Sequence, residues 1–544
     1  MRRNQTARQH DFAIIPKTDV PRSRFRMPQT RKQAFNASEL VPVMCEEVLP
    51  GDTWQHTESI AARLATPIAP IVDDMDLETW YFFVPNRITW EGNTQRNRWE
   101  DFITGTSSTT IPTILPRNDA NNADVIKIGS VFDHFGLPPA SYSTNIFLNV
   151  LPIWAYFEIY NEWFRDENLQ AEWEWSMTWT SSASVLITQA SNPWNQMPLR
   201  VNKRSDYFTR SLPWPQKGDA VTIPLGTVAP VFTTGTTGDS FKVGSSAGSI
   251  TDSRQIDTSG AIGVLTALTG TTNSLFADLS EATASTLNSL RLAIATQQLL
   301  EKDARGGTRY VENLLVHFGV RSPDYRLDRP EYLGGSKIPV TINPIAQTAA
   351  YDAEPGLTDS PVGNLGAEMH AQGHKRTFTY AATEHGYIIG LCAVRATPTY
   401  QQGVRRHWRR STRLEFHWPT LANLGEQAVT TKEIFQPTND APSNETWGYQ
   451  ERGAEYRYTP NEITGHLRSA SATPMDWWHL SEEFATEPAL NAAFITDKTQ
   501  ETLGRALAVA PNEQWSAQII MDIQHESVVA RLMPAYSVPG LNKF

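Results

Sequence analysis

The chain has only two cysteines, Cys45 and Cys392, in 544 residues. Two widely separated thiols give neither a disulfide framework nor the paired spacing of a zinc site. A reducing compartment is the simpler setting, with a single bridge left open. No apolar run approaches the ~18 residues of a membrane-spanning helix. The basic N-terminus lacks the apolar stretch of a signal peptide. The sequence therefore reads as a soluble protein made inside the cell, without membrane insertion. It has no phosphate loop and no dinucleotide fingerprint, so no cofactor is expected. No internal repeat of fixed period occurs.

Catalytic constellations are equally scarce. Gly244–Gly248 (GSSAG) matches the G-x-S-x-G elbow, which needs a strand before it and a helix after it. Here it lies in a Ser/Thr/Gly-rich loop. His370 and His374 are four apart, but the intervening residues lack a zincin glutamate and include Gly373. They read as loop histidines without a third ligand. Asp73, Asp74, Asp76 and Glu78 lack the spacing of a calcium loop and read as a solvated turn. The expectation is no enzymatic activity and no metal site.

What is present is aromatic residues, turn breakers and an uneven charge. The chain is 40% hydrophobic and 19% charged, with 17 Trp, 35 Pro and 32 Gly. That composition favours short strands joined by long ordered loops. At 544 residues it exceeds the usual size of one core, so one core must carry insertions or several domains exist. Net charge is −11, yet residues 1–35 hold nine Lys/Arg and two Asp, leaving −18 on the rest. A basic arm on an acidic body points to a polyanion.

The arm carries Arg2, Arg3, Arg8, Lys17, Arg22, Arg24, Arg26, Arg31 and Lys32, with Phe12, Phe25 and Phe35 available to stack. Pro16, Pro21 and Pro28 interrupt any helix or strand period, so an extended arm is predicted. Spaced cations with aromatic rings suit sequence-independent binding to single-stranded nucleic acid. These nine cations are the predicted nucleic-acid-binding residues. A second basic run, Arg395 to Arg413, contains no acid and interleaves His407 and Trp408. Planar guanidinium suits single strands and carboxylates alike. On an acidic body, pairing within the chain or across an interface is the favoured reading.

Element signals follow from periodicity. Thr53–Leu64 alternates, with Trp54, His56, Glu58, Ile60, Ala62 and Leu64 on one face. Glu78–Pro85 and Gly386–Ala396 are apolar runs fitting buried strands, and Lys375–Tyr380 and Trp515–Leu532 alternate. Pro152 opens a helix that is aromatic on two faces and is predicted to be core. Residues 227–286 are rich in Thr, Gly and Ser and cannot build a core of their own. They read as a surface insertion. A helix ending at Gly306 and Gly307 follows. Strands at both ends of the chain, with helices and loops between, fit one antiparallel barrel whose loops hold the insertions.

The stretch Leu299–Gly335 joins a helix end, a glycine turn, a second amphipathic segment and a Pro/Gly-rich exit, without catalytic chemistry. With LPWPQKG at Leu212–Gly218 and YQERGAEYRY at Tyr449–Tyr458, it resembles the major capsid proteins of the gokushovirus branch of the Microviridae. Further matching stretches are PGDTW at Pro50–Trp54, FFVPNRITW at Phe82–Trp90, IYNEWFRDENL at Ile159–Leu169, SDYFTR at Ser205–Arg210, LGEQAV at Leu424–Val429 and SVPGL at Ser537–Leu541. The resemblance covers most of residues 25–541 and fails in the Thr/Gly-rich insertion. The basic run near Arg405 departs from the family pattern. The resemblance implies an eight-stranded antiparallel jelly-roll barrel at 36–544 with long inserted loops and several helices. It also implies a virion shell of sixty copies in the simplest icosahedral arrangement, made in the cytoplasm of a bacterial host. Further implied partners are a circular single-stranded DNA genome, other viral structural proteins and a host cell-surface receptor. The insertion at 227–286 would be a variable protrusion. A β-sandwich carbohydrate-binding protein is the competing class, but it leaves the basic arm unexplained.

Overall fold

The computed structural model describes residues 21–90, 98–104, most of 124–173, 198–219, most of 287–350, 361–436, 446–508 and 517–536, with short segments between them. Its frame is nine long strands in two antiparallel sheets. These are β1 (Ser23–Phe35), β2 (Val41–Val48), β3 (Thr53–Leu64), β4 (Met75–Pro85), β5 (Glu331–Pro339), β6 (Thr341–Ala346), β7 (Leu365–Ala381), β8 (Gly386–Ala396) and β9 (Ile519–Arg531). The first sheet runs β1-β9-β3-β7-β6 and the second β5-β4-β8-β2. The strands from the two ends of the chain are hydrogen-bonded neighbours, with Ser23 opposite Arg531 and Phe35 opposite Ile519. The chain is thus mainly β with a few helices, as its sequence predicts.

Two apolar clusters fill the space between the sheets, each drawing on both. One joins Ile60, Met369, Met521 and Ile523 to Val43, Leu77, Cys392 and Val394. The other joins Trp54, Phe378 and Val529 to Tyr81, Phe83 and Ile388. The alternation read in β3 places Trp54, His56, Glu58, Ile60, Ala62 and Leu64 inward, all buried. Both thiols are free, and Cys392 is buried with its sulfur 3.9 Å from the Met521 sulfur. Burial pushes the Cys45 thiol up to about 12, so it stays neutral and unreactive.

The second sheet has a covered back. Helix α1 (Leu151–Ile159) has buried side chains on nearly every side and continues as a π-helical turn, Tyr160–Phe164. Trp154 and Phe157 belong to a core cluster with Phe82, Val84, Ile389 and Leu391 from β4 and β8. A strand apolar on both faces is the form such a layer requires, and ten of the eleven residues of β8 are buried. The Leu-Gly-Gly exit of the long linking stretch is part of β5. A register shift falls between Tyr332 and Gly334, and a Cβ at Gly335 would lie 2.0 Å from the Thr79 carbonyl oxygen. Only glycine lets the two backbones approach so closely.

Residues Gln216–Gly306 form a second compact unit. It holds α2 (Leu287–Gly306) and two short antiparallel pairs, Val231–Thr233 with Leu275–Ala277 and Ser253–Ile256 with Ile262–Leu265. Apart from those strands, residues 227–286 lie outside the described residues. Helix α3 (Tyr310–Phe318) belongs to the main unit and ends at Gly319 with φ +67.

Candidate nucleic-acid interface

The structure corrects the boundary of the basic arm. Residues 23–35 are not irregular chain: they form β1, an edge strand of the first sheet. Pro28 is tolerated because an edge strand leaves one row of backbone groups unpaired. Within β1 the even-numbered residues Arg24, Arg26 and Lys32 are exposed, while Phe25, Met27 and Arg31 turn inward.

Four of the five predicted cations that the structure describes have partners within the chain. Lys32 Nζ meets the Asp522 carboxylate directly opposite on β9 at 3.0 Å, and Arg26 meets Glu526 at 3.3 Å. Arg63 on β3 meets Glu368 on β7 at 3.2 Å. The solvent face of this sheet therefore carries three cross-strand ion pairs among the described residues. Arg31 donates to the carbonyl oxygens of Pro42, His134 and Phe135 at 3.1–3.5 Å. Burial lowers its pKa below the ordinary arginine value, and Cys45 and Glu46 nearby oppose that shift. Arg22 donates to the Gly51 carbonyl and, at 2.7 Å, to Thr53 Oγ1. Arg24 is exposed and makes no ion pair among the described residues. Arg2, Arg3, Arg8 and Lys17 lie outside the described residues.

The second basic run is paired within the chain, as its sequence favours. Arg395 Nε donates to Glu78 at 3.0 Å, and its guanidinium lies 5.4 Å from the centre of the Trp80 ring. Arg405 pairs with Glu462, Arg406 with Glu433 at 3.5 Å, and Arg410 with Glu455 at 3.0 Å. Arg409 donates only to Thr430 Oγ1, and Arg413 stacks 4.8 Å from the Trp418 ring. Neither has a carboxylate partner among the described residues.

Two other readings change. Asp76 and Glu78 do not lie in a solvated turn; they are buried on β4. Arg204 bridges them at 2.6 and 2.9 Å, Lys337 joins Asp76, and Arg395 joins Glu78. Asp73 accepts a hydrogen bond from the Leu480 amide, and burial raises its pKa. His370 and His374 sit on β7, not in a loop. Four residues of strand separate them by ~13 Å, too far to share an ion. His374 is 2.7 Å from Ser59 Oγ. Among the described residues no group of three or more His, Cys, Asp or Glu could hold a metal. The GSSAG motif lies outside the described residues.

A polar joint between the sheets was legible only as two polar residues on an apolar face. His525 Nε2 donates to the Val43 carbonyl at 3.0 Å, which leaves its Nδ1 to accept from His56 Nε2 at 3.1 Å. His56 Nδ1 then accepts from Thr377 Oγ1 at 2.6 Å. Burial pushes His56 down to about 3 and His525 down to about 4, so both are neutral at pH 7. Beside them, Tyr81 and Thr79 donate to the buried Glu58 carboxylate at 2.7 and 3.0 Å.

The described residues thus form a double sheet with long loops, ion pairs on one face and a basic N-terminal segment. The capsid protein (F protein) family matches residues 13–541. Capsid protein VP1 of Bdellovibrio phage phiMH2K is 38% identical over 558 aligned residues, covering 98% of each chain. Capsid protein VP1 of Chlamydia phage 1 is 37% identical, again covering 98% of each. Capsid protein VP1 of Spiroplasma virus 4 is 33% identical, covering 99% of this chain and 98% of that one. This chain belongs to that capsid protein family, in the gokushovirus branch of the Microviridae. It is a structural protein of the virion, and no relative supports a carbohydrate-binding reading.

Proposed function

We propose that sixty copies of this chain close into a small icosahedral shell around a circular single-stranded DNA genome. The observation that carries the reading is the pairing of β1 with β9. Leaving aside β6, the sheets run β1-β9-β3-β7 and β5-β4-β8-β2, the order of an eight-stranded jelly roll, a common capsid architecture. The loops at 86–330 and 397–518 then supply faces for the unlike contacts that surround symmetry axes. Negative-stain microscopy of the purified chain tests this: closed shells of uniform diameter are expected. A small soluble species at every concentration tried would sink the reading.

The genome contact falls on residues 1–35 facing the shell interior. Arg22, Arg26, Arg31 and Lys32 have partners within the chain and Arg24 has no ion pair among the described residues, so the proposal rests on Arg24 and on the charge that Arg2, Arg3, Arg8 and Lys17 bring to the segment. Changing Arg2, Arg3, Arg8 and Lys17 to Gln should lower packaged DNA and flatten the salt dependence of oligonucleotide binding, while shells still form. Unchanged genome content would remove the arm from this role. Residues 227–286 are assigned to a protrusion that meets a host cell-surface receptor. Replacing 233–272 with a short Gly/Ser linker should leave shells intact and abolish adsorption, since loop length costs little.

A further inference from the structure

Residues 404–424 build a surface that the shell reading does not by itself assign. Three short 3-10 turns shape it, Arg406–Arg409, Arg413–Glu415 and Pro419–Leu421. Thr412 and Glu415 close a reciprocal capping box on the middle turn. Arg410 lies 4.6 Å from the Tyr456 ring centre and 5.4 Å from that of Phe416. Trp418 Nε1 donates to the Arg413 carbonyl at 3.0 Å. The loop is thus fixed in shape by its own ion pairs and stacks.

Its outer groups are apolar. Trp408 is 77% exposed and Leu414 67%, and Phe416, Leu424, Tyr456 and Tyr458 are each more than half exposed. Isolated exposed apolar residues are ordinary, but a group of this size marks a contact surface; the 404–424 loop and the segment of Tyr456 and Tyr458 meet through Arg410 and His417, whose ring centre is 5.8 Å from that of Tyr456. Aromatic residues beside arginine, with most charges already satisfied, is the composition of an interface core. A loop already ordered also avoids the entropy that a flexible one would lose on docking.

We propose that this surface is a contact between two copies of the chain, an inference that rests on the shell reading above. Two observations favour a second copy over DNA. Arg405, Arg406 and Arg410 are spent on Glu462, Glu433 and Glu455, whereas phosphate binding needs a series of uncommitted cations. Residues 403–418 hold five Arg and one Glu, so the chain outside them carries −15. A neighbouring copy therefore presents carboxylates to Arg409 and Arg413, the two guanidiniums without one among the described residues.

The test uses the full chain. A photo-crosslinking benzoylphenylalanine at position 408, irradiated in assembled particles, should give a product of twice the chain mass. The double variant Trp408→Ser, Leu414→Ser should keep the circular dichroism and melting of the unassembled subunit. It should raise the concentration at which shells form by about tenfold or more, as loss of interface anchors does. Assembly at the wild-type concentration overturns the proposal, as does a crosslink to DNA or to another viral protein. A fall in oligonucleotide affinity with unchanged assembly would make the surface a nucleic-acid site instead. Failure of the wild-type chain to assemble counts against the shell reading, while wild-type shells with an indifferent double variant count against this contact alone.

Discussion

The two sheets have the same strand chemistry and opposite surroundings. The second sheet is enclosed, with the core between the sheets on one side and α1 with its aromatic continuation on the other. The first sheet has one buried face and one face in water, crossed by ion pairs such as Lys32–Asp522 and Arg63–Glu368. The difference shows in the strands: β8 is buried along nearly its whole length, while β9 alternates buried and exposed residues. One sheet therefore packs on both faces, and the other packs on one face and carries ion pairs on the other.

Substitutions should separate the two, beginning with the enclosed one. Trp154→Ala, beneath the second sheet, is expected to cost about 3–5 kcal/mol in denaturant unfolding of the subunit. Ile520→Ala on the bare face should cost less than ~0.5 kcal/mol. Similar losses at the two sites would erase the distinction. Arg204→Met should follow at about 3 kcal/mol, because it leaves the buried Asp76 and Glu78 carboxylates short of a partner. A melting temperature within a degree of wild type would show that Lys337 and Arg395 suffice.

Acid should act on the joint between the sheets. His56 and His525 are held neutral, with pKa values lowered by burial to about 3 and about 4. The unfolded chain protonates both near pH ~6.5. It therefore binds more protons than the folded chain as pH falls from ~6.5 towards 4. Their contribution is complete above ~6.5 and declines below it, by up to about 1.4 kcal/mol per pH unit for each histidine. Unfolding free energy measured from pH 7 to 5 should show this slope, and His525→Gln should remove about one proton of it. A flat profile in the wild type would mean that the pair is protonated in the fold. The smallest effects belong to the bare face: Arg26→Ala and Lys32→Ala should each change stability by less than ~1 kcal/mol, and less still in high salt.

The sequence made the enclosed elements legible and obscured the rest for identifiable reasons. The inward row of β3, the apolar run of β8 and the aromatic helix after Pro152 are local periodicities, and each appears where the pattern places it. β1 was hidden because its inward row includes Arg31 and Gln33 beside Phe25, Met27 and Phe35, and breaks at Gln29, which is exposed. An edge strand with polar residues on both faces carries little alternation to read. The acidic residues on β4 looked solvated because Arg204, which neutralises two of them, lies 126 residues beyond Glu78. Local charge patterns cannot foresee a partner at that distance. The same limit applies to the nine candidate cations: the charge of the segment was visible, but not the acids of β9 that claim two of them.

The position of β9 has a consequence in time. It lies between β1 and β3 in the first sheet, yet Lys32 reaches Asp522 only across 490 intervening positions. At ~5–20 residues per second, a ribosome needs about 25–100 s to supply that partner. For that interval β1 has no neighbour, and β3 has both edges open until β7 is made and one thereafter. The nascent chain must keep these unpaired strand edges from its equally incomplete siblings, although its mature form is made to meet copies of itself. A chain that ends before residue 519 loses an interior strand of a sheet rather than its margin. The surfaces that join subunits therefore become trustworthy only once synthesis is nearly complete.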